Sequence, residues 1–261
     1  MNRLTNTLEK LKNKSKKALV AYLVAGDPDI ETTLELMMML VDSGVDIIEI
    51  GVPFTDPIAE GPIIQKAHDR ALKNNVTLKS IFEMAQKYRE NDNETPLVLM
   101  GYLNTFIFNK TLIEDNKNNV IDSVLVVDIP GELNLKDYGV YNPNINTISL
   151  ISPTTKKDRI KSIAKNSSGF VYYVTLRGVT GASNLDVNEI SNNVEEIKKY
   201  ASVPTLAGFG IKSPEDAKLL SQHSDGVIIG SSIVQMIEEG SQSKEFDRIR
   251  TYITDIKKAI S

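Results

Sequence analysis

Residues 47–62 read Ile47-Ile48-Glu49-Ile50-Gly51-Val52-Pro53-Phe54-Thr55-Asp56-Pro57-Ile58-Ala59-Glu60-Gly61-Pro62. The stretch opens as a short apolar strand that contains one carboxylate. A buried strand normally excludes an ionised group, because the charge loses its hydration there. A loop stiffened by Pro53, Pro57 and Pro62 follows, and it carries two more acids, Asp56 and Glu60. An acid tolerated at Glu49, with a rigid polar loop just beyond it, points to chemistry at the end of that strand.

Runs of the same kind recur along the chain. Short Val-, Ile- and Leu-rich segments alternate with amphipathic ones, the pattern of repeated βα units around a parallel sheet. Strands are predicted near 18–23, 46–50, 97–100, 124–127, 146–150, 170–175, 203–207 and 226–229. Helices are predicted near 31–43, 77–90, 105–119, 132–138, 156–166, 186–200, 214–222 and 243–259, the fourth being the shortest of room. Leu34, Met37, Met38 and Val41 have the spacing that buries one helix face. Eight strands with eight helices predict an α/β fold, a single (β/α)8 TIM barrel. Two extra helices are expected, at 61–74 after strand 2 and at 231–239 after strand 8.

The bulk composition agrees. The chain has 261 residues, and a barrel of this type takes about 250. No linker or composition break divides it, so residues 1–261 are expected to form one domain. A net charge of −4 argues against nucleic acid or an anionic membrane as the main partner. Lys10, Lys12, Lys14, Lys16 and Lys17 at the helical-looking start are expected to form a solvated helix face. There are no cysteines, which removes thiolate chemistry and disulfides and fits a cytoplasmic protein. No apolar run approaches the ~20 residues of a membrane span.

In such barrels the working face lies at the carboxyl ends of the strands. Strand residues alternate between the barrel interior and the helical layer. Ile48 and Ile50 share one side and Ile47 and Glu49 the other, so packing the apolar pair on the helices aims Glu49 into the barrel mouth. An acid in that dry place has a raised pKa, suited to giving and taking protons. Glu60 is close enough in sequence to share the mouth, although a loop acid alone reads as solvated. Asp56 is read as a turn cap or an outward contact, and Asp128 as part of the rim.

A phosphate site is the second signal. Arg177-Gly178-Val179-Thr180-Gly181, Gly208-Phe209-Gly210 and Gly230-Ser231-Ser232 follow three adjacent strands. Glycines let backbone N–H groups approach an anion, and a helix N-terminus adds positive potential. Tyr22, Met100, Tyr102, Leu125, Val127 and Tyr172 lie near strand ends and could line an apolar pocket. His68 and His223 read as surface or internally satisfied histidines, and no metal-ligand spacing is present.

With these motifs the chain resembles the tryptophan synthase α subunit over nearly its full length. The resemblance rests on Gly26-Asp27-Pro28, on Glu49 through Pro57, on Gly178-Val179-Thr180-Gly181, on Gly208-Phe209-Gly210-Ile211 and on Gly230-Ser231. It implies retro-aldol cleavage of indole-3-glycerol phosphate to indole and glyceraldehyde 3-phosphate. It implies a β subunit as partner, in an α2β2 heterotetramer, to which indole is channelled. No cofactor is expected in this chain, pyridoxal phosphate belonging to that partner.

By position in the motifs, Glu49 matches the family's general acid/base, and Glu60 stands where the family has an aspartate that binds the indole N–H. The chain departs there by one methylene, and Glu60 is expected to keep the role with an adjusted loop. The resemblance assigns phosphate binding to Gly178, Gly181, Gly210, Gly230 and Ser231, and loop closure over substrate to Thr180. It assigns the indole pocket to Tyr22, Met100, Tyr102, Val127 and Tyr172. It assigns partner contact to Pro53, Asp56, Pro57 and Asn104.

Overall fold

Segments too short for helices and apolar on both faces become strands, here β1 (Ala18–Val24), β2 (Ile47–Gly51), β3 (Leu97–Gly101), β4 (Ser123–Val126), β5 (Asn146–Ile151), β6 (Val171–Val174), β7 (Thr205–Gly208) and β8 (Gly226–Ile229). In the computed structural model, which describes residues 2–175, 187–208, 210–241, 243 and 245–261, each strand pairs in parallel with the next and β8 pairs with β1. The sheet is therefore a closed barrel in the order β1 to β8.

The helices among the described residues are α1 (Arg3–Asn13), α2 (Ile30–Asp42), α3 (Pro62–Lys73), α4 (Leu78–Arg89), α5 (Leu103–Phe108), α6 (Lys110–Asp115), α7 (Lys157–Asn166), α8 (Val187–Lys198), α9 (Pro214–Ser221), α10 (Ser231–Gly240) and α11 (Asp247–Ala259). Both predicted insertions are present, α3 after β2 and α10 after β8. Local chemistry sets several starts: the Asp29 side chain accepts the Thr32 N–H at 2.7 Å to cap α2, and Ser213 caps α9 ahead of Pro214.

Two predicted helices differ. The one expected at 105–119 is broken into α5 and α6, with Asn109 non-helical between them and Asn116 left-handed at φ 32°. Asparagine side chains compete with the helix for backbone partners. Asn109 Nδ2 donates to the Thr105 carbonyl at 2.8 Å, and Asn116 holds both the N–H and the carbonyl of Ile121. The segment expected at 132–138 is a four-residue 3₁₀ turn, Leu135–Tyr138, ended by Gly139 at φ 76°.

Packing forms two layers. Ile48, Ile50 and Leu99 join the core between barrel and helices, while Val20, Ile47, Val98, Leu125, Phe170 and Leu206 fill the barrel itself. Helix α1 closes the amino-terminal end: Leu4 and Leu8 are buried against the interior layer. Leu4 reaches in because residue 169 is glycine, where a Cβ would sit 2.8 Å from Leu4 Cδ2. Lys10 and Lys12 are exposed on α1 as expected, but the helix ends at Asn13: Lys14 and Lys16 are exposed beyond it, and Lys17 is half-buried and donates to the Ser224 carbonyl at 2.6 Å. The apolar stripe that makes α1 a plug is an addition to the sequence reading.

The same end carries a repeated staple. An N–H of the first or second residue of β1, β3, β5 and β7 donates to a side chain that precedes the next strand. Leu19 donates to Asp46 at 2.8 Å, Leu97 to Asp122 at 2.9 Å, Thr147 to Ser168 at 2.8 Å and Thr205 to Asp225 at 2.8 Å. Each of the three aspartates is also paired with a cation: Lys257 with Asp46, Arg89 and Arg3 with Asp122, Lys198 with Asp225. Charge at this end is compensated.

Truncating the plug tests the packing. Leu4→Ala is expected to lower the unfolding free energy by about 2–5 kcal/mol in urea titration, the cost of a core cavity. Lys12→Ala on the exposed face should stay within about 0.5 kcal/mol.

Candidate active site

Glu49 occupies an inward position near the carboxyl end of β2, in register with Tyr22 on β1 and Val98 on β3. It is 1% exposed, and its Oε1 has no hydrogen-bond partner among the described residues. No described cation pairs with it. Burial first, and the nearby charge of Glu60 second, push its carboxyl up to about 8. At neutral pH Glu49 therefore carries a proton, held in a dry place with nothing to neutralise the ion it would leave.

Of the two readings of Glu60, a solvated loop acid or an acid that shares the mouth, its burial agrees with the second. It is buried at 6% exposure, just ahead of α3, whose start is set by Gly61 and Pro62. The Tyr102 hydroxyl donates to Glu60 Oε2, and the Ala59 N–H donates to the same hydroxyl at 2.9 Å. The Phe54 ring stacks on Tyr102, with centroids 4.4 Å apart and planes inclined by 13°, which covers the acid from the loop side. Burial raises the Glu60 carboxyl and the Tyr102 bond draws it back. The longer glutamate arm thus has a specific partner.

The remaining inward positions converge on these acids. Met100, Val127 and Tyr172 pack with the interior layer, and Tyr22 pairs in register with Glu49, two residues beyond the interior Val20 on the same face of β1. Tyr173, its orientation open from sequence, faces the helices and accepts a bond from Asn193 Nδ2 at 2.9 Å. Asp128 accepts the Leu103 N–H at 2.8 Å and so anchors the start of α5 on the rim. His68 is buried at 1% exposure and internally bonded, the second of the two alternatives for it.

Of the glycine motifs, Gly210 takes φ 80°, a backbone that an L side chain rarely adopts. Gly230 stands at the N-cap of α10 and makes no side-chain cap bond, so the N–H groups after Ser231 are available to an anion. Ser232 Oγ ties this helix start to the Ile211 carbonyl at 2.9 Å, next to Gly210. Gly178, Thr180 and Gly181 lie outside the described residues.

At the rim, Asp56 and Asn104 are exposed and Pro57 is half-buried, but Pro53 is buried. Pro53 can therefore shape the loop but not touch a partner directly. Sequence reasoning passed over the exposed apolar groups in these connections, Ile58 at 77% and Phe108 at 85%, and over Tyr141 at 55%, which lies elsewhere, its N–H bonded to Glu114 at the end of α6. Their signal was an apolar residue set among Asp, Asn and Pro in the connections after β2, β3 and β4. Among the described residues no cluster of three metal-ligating side chains occurs, and no helix is long and apolar enough to cross a membrane.

Comparison with known proteins gives a consistent picture. The sequence profile of the family described as "Tryptophan synthase alpha chain" matches residues 8–261. The tryptophan synthase alpha chain of Neisseria meningitidis is 44% identical, with 94% of each chain covered. That of Nitrosomonas europaea is 39% identical over 100% of this chain and 96% of its own. Among solved structures, tryptophan synthase subunit alpha from Legionella pneumophila superposes with a TM-score of 0.90 at 35% identity, covering 100% of this chain and 98% of that one. A chain from a structure of the tryptophan synthase a2b2 complex of Pyrococcus furiosus gives 0.82 at 32% identity, covering 92% and 98%.

The burial of Glu49 has a measurable consequence for stability. In the unfolded chain this carboxyl ionises in its ordinary range, whereas in the fold it keeps its proton up to about 8. Across that window rising pH favours the unfolded state by about 1.4 kcal/mol per unit, and below it the effect vanishes. Glu49→Gln should therefore unfold at higher denaturant than wild type near pH 8, the gap closing towards pH 4. A pH series of urea midpoints on both proteins measures it, and equal midpoints throughout would place Glu49 in contact with solvent.

Proposed function

The chain belongs to the tryptophan synthase alpha chain family, carbon–carbon lyases that cleave indole-3-glycerol phosphate to indole and glyceraldehyde 3-phosphate, and from that premise we propose that Glu49 and Glu60 perform this reaction in the barrel mouth. The observation that carries the assignment is a protonated Glu49 inside the mouth without a counter-charge, close enough to Glu60 to feel its ionisation.

Glu49 gives its proton to the indole carbon that bears the glycerol chain. The ring becomes a cation whose charge is delocalised onto nitrogen, and Glu60 accepts a hydrogen bond from the indole N–H and balances that charge. Glu49, now a carboxylate, takes the proton of the adjacent side-chain hydroxyl. The C–C bond breaks as that oxygen becomes the aldehyde, and its electron pair returns to the ring to give indole. One proton has moved from hydroxyl to carbon, and Glu49 ends as it began. Tyr102 holds Glu60 in place, so the longer arm does not cost the alignment that an ångström of error would, about 100-fold in rate.

Tyr22, Met100, Val127 and Tyr172 form the apolar wall for the ring. Gly210, Gly230 and Ser231 cradle the phosphate at the start of α10. Pyridoxal phosphate belongs to the β subunit of the family. We assign the contact with that subunit, in an α2β2 assembly, to the rim of Asp56, Pro57, Ile58, Asn104 and Phe108, where exposed apolar groups sit beside polar ones.

Purified protein is expected to release indole from indole-3-glycerol phosphate, faintly alone and strongly with a β subunit. Glu49→Gln should lose at least ~100-fold in kcat with its fold intact, and full turnover in that variant would remove Glu49 from the mechanism. Phe108→Asp should leave the activity of the isolated chain unchanged and abolish activation by the β subunit. Undiminished activation would place the partner elsewhere.

A further inference from the structure

Gly26-Asp27-Pro28, the first of the motifs that mark the family resemblance, has no part in the chemistry above. In the fold it forms a socket for the last turn of α3. Arg70 Nε donates to Asp27 Oδ1 at 2.6 Å, and a second guanidinium nitrogen donates to Oδ2 at 2.8 Å. Asn74 Nδ2, at the end of the helix, donates to the Pro28 carbonyl at 2.5 Å and to that of Gly26 at 3.3 Å. Gly26 takes φ 84°, and a Cβ there would stand 2.2 Å from Val76 Cγ2, just beyond α3.

Arg70 has one more attachment. Its third nitrogen donates to Glu238 Oε1 of α10 at 2.9 Å. Asp27 is 2% exposed, and burial raises its carboxyl against the lowering effect of the Arg70 bonds and charge. Desolvation offsets much of what such a pair gains, so what it secures is geometry rather than stability. The planar guanidinium meets the Asp27 carboxylate as a fork in one orientation, and that leaves the third nitrogen aimed at α10.

Both helices joined by this contact begin at the mouth. Helix α3 starts after Gly61, which directly follows Glu60, and Gln65 Nε2 in its first turn donates to the Glu60 carbonyl at 2.9 Å. His68 Nδ1 accepts the Phe54 N–H at 3.0 Å, so the same helix holds the loop ahead of Glu60. Helix α10 starts after Gly230, at the glycine cradle. Arg70 lies eight residues beyond Pro62 and Glu238 seven beyond Ser231, about 12 and 10 Å of helix. The ion pair thus ties two arms of similar length, whose other ends carry the acid and the anion site.

We propose that Arg70 is a positioning residue of the reaction: seated by Asp27, it joins α3 to α10 through Glu238 and so sets Glu60 at a fixed place relative to the substrate phosphate. The inference rests on Glu60 and the α10 cradle as read under the proposed function. The phosphate anchors one end of the substrate and Glu60 receives the other, so play between the two helices becomes misalignment at the indole N–H. An error of about 1 Å at a reacting group costs ~100-fold in rate, and the ion pair restricts that play.

Hydrogen-exchange mass spectrometry of the whole chain, with inorganic phosphate as the probe, tests the link. In wild type, phosphate should slow exchange along α10 and, through Arg70, along α3. The Glu238 side chain is 41% exposed, so Glu238→Gln keeps the fold, and protection in that variant should stop at α10. Its kcat for indole release should fall about tenfold, a fraction of the loss that an ångström brings. Inhibition by inorganic phosphate should stay as in wild type, because the cradle is untouched. Arg70→Lys keeps the charge and loses the fork, and it should show the same two losses. Protection of α3 that survives both substitutions, or variants with a lower melting temperature and unaltered kcat, overturns the positioning role. Phosphate that protects neither helix in wild type overturns the cradle and the frame together. Glu238-dependent protection in a protein that releases no indole supports the frame and overturns the reaction instead.

Discussion

Side chains of a barrel strand alternate strictly between inside and outside, and in β2 that alternation leaves no place for Glu49 but the interior. Ile48 and Ile50 pack on the helices, and moving the strand by one residue would turn both inward and set Glu49 against the apolar helical layer. The fold thus compels a carboxyl into a space where the ion is unstable. Nothing described nearby neutralises it, so the proton itself does. The second acid of the mouth is held differently: Glu60 accepts a hydrogen bond from Tyr102, on whose ring Phe54 stacks.

The two ends of the barrel handle charge in opposite ways. At the amino-terminal end Asp46, Asp122 and Asp225 each bind a strand N–H and a cation, and Leu4 seals the interior beneath them. Those contacts fix strand order and register, and their acids are spent in doing so. At the carboxyl end Glu49 has no cation and Glu60 has only a hydroxyl. One exception proves structural: Arg70 of α3 grips Asp27 at 2.6 Å and Glu238 of α10 at 2.9 Å. That ion cluster braces the helix following the acid loop against the helix that starts at the glycine cradle, so two sides of the mouth are held at a fixed spacing without a cation entering it.

What the sequence revealed and what it hid divide along the range of the interactions. Strand positions, the two inserted helices and the inward aim of Glu49 depend on local periodicity, and periodicity can be read directly. The burial of Glu60 depends on Tyr102, 42 residues away, and on a ring stack with Phe54, neither visible in a loop that reads as solvated. His68 looked inert because its two partners come from β1 and from the loop after β2. The break at Asn109 was legible in principle, since four further asparagines at 104, 116, 118 and 119 crowd the segment, but amphipathic spacing outweighed them. The apolar plug of α1 was masked by its lysines.

The glycine motifs carry a second meaning beyond the approach of an anion. A Cβ at residue 208 would stand 2.8 Å from the Tyr172 hydroxyl, and one at residue 51 would collide with that of Tyr22. Both phenols lie inside the barrel, flanking Glu49 in the electrostatic sense, and both need the room that a missing side chain leaves. Part of the glycine signal at strand ends thus reports clearance for large rings rather than backbone presented to phosphate. Gly210 is different: its φ of 80° is a backbone requirement, and it adjoins the uncapped start of α10 through Ile211 and Ser232. Under the proposed assignment, a flat aromatic ring beside a proton carrier and a phosphate would occupy these same strand ends, and one residue type would meet both demands.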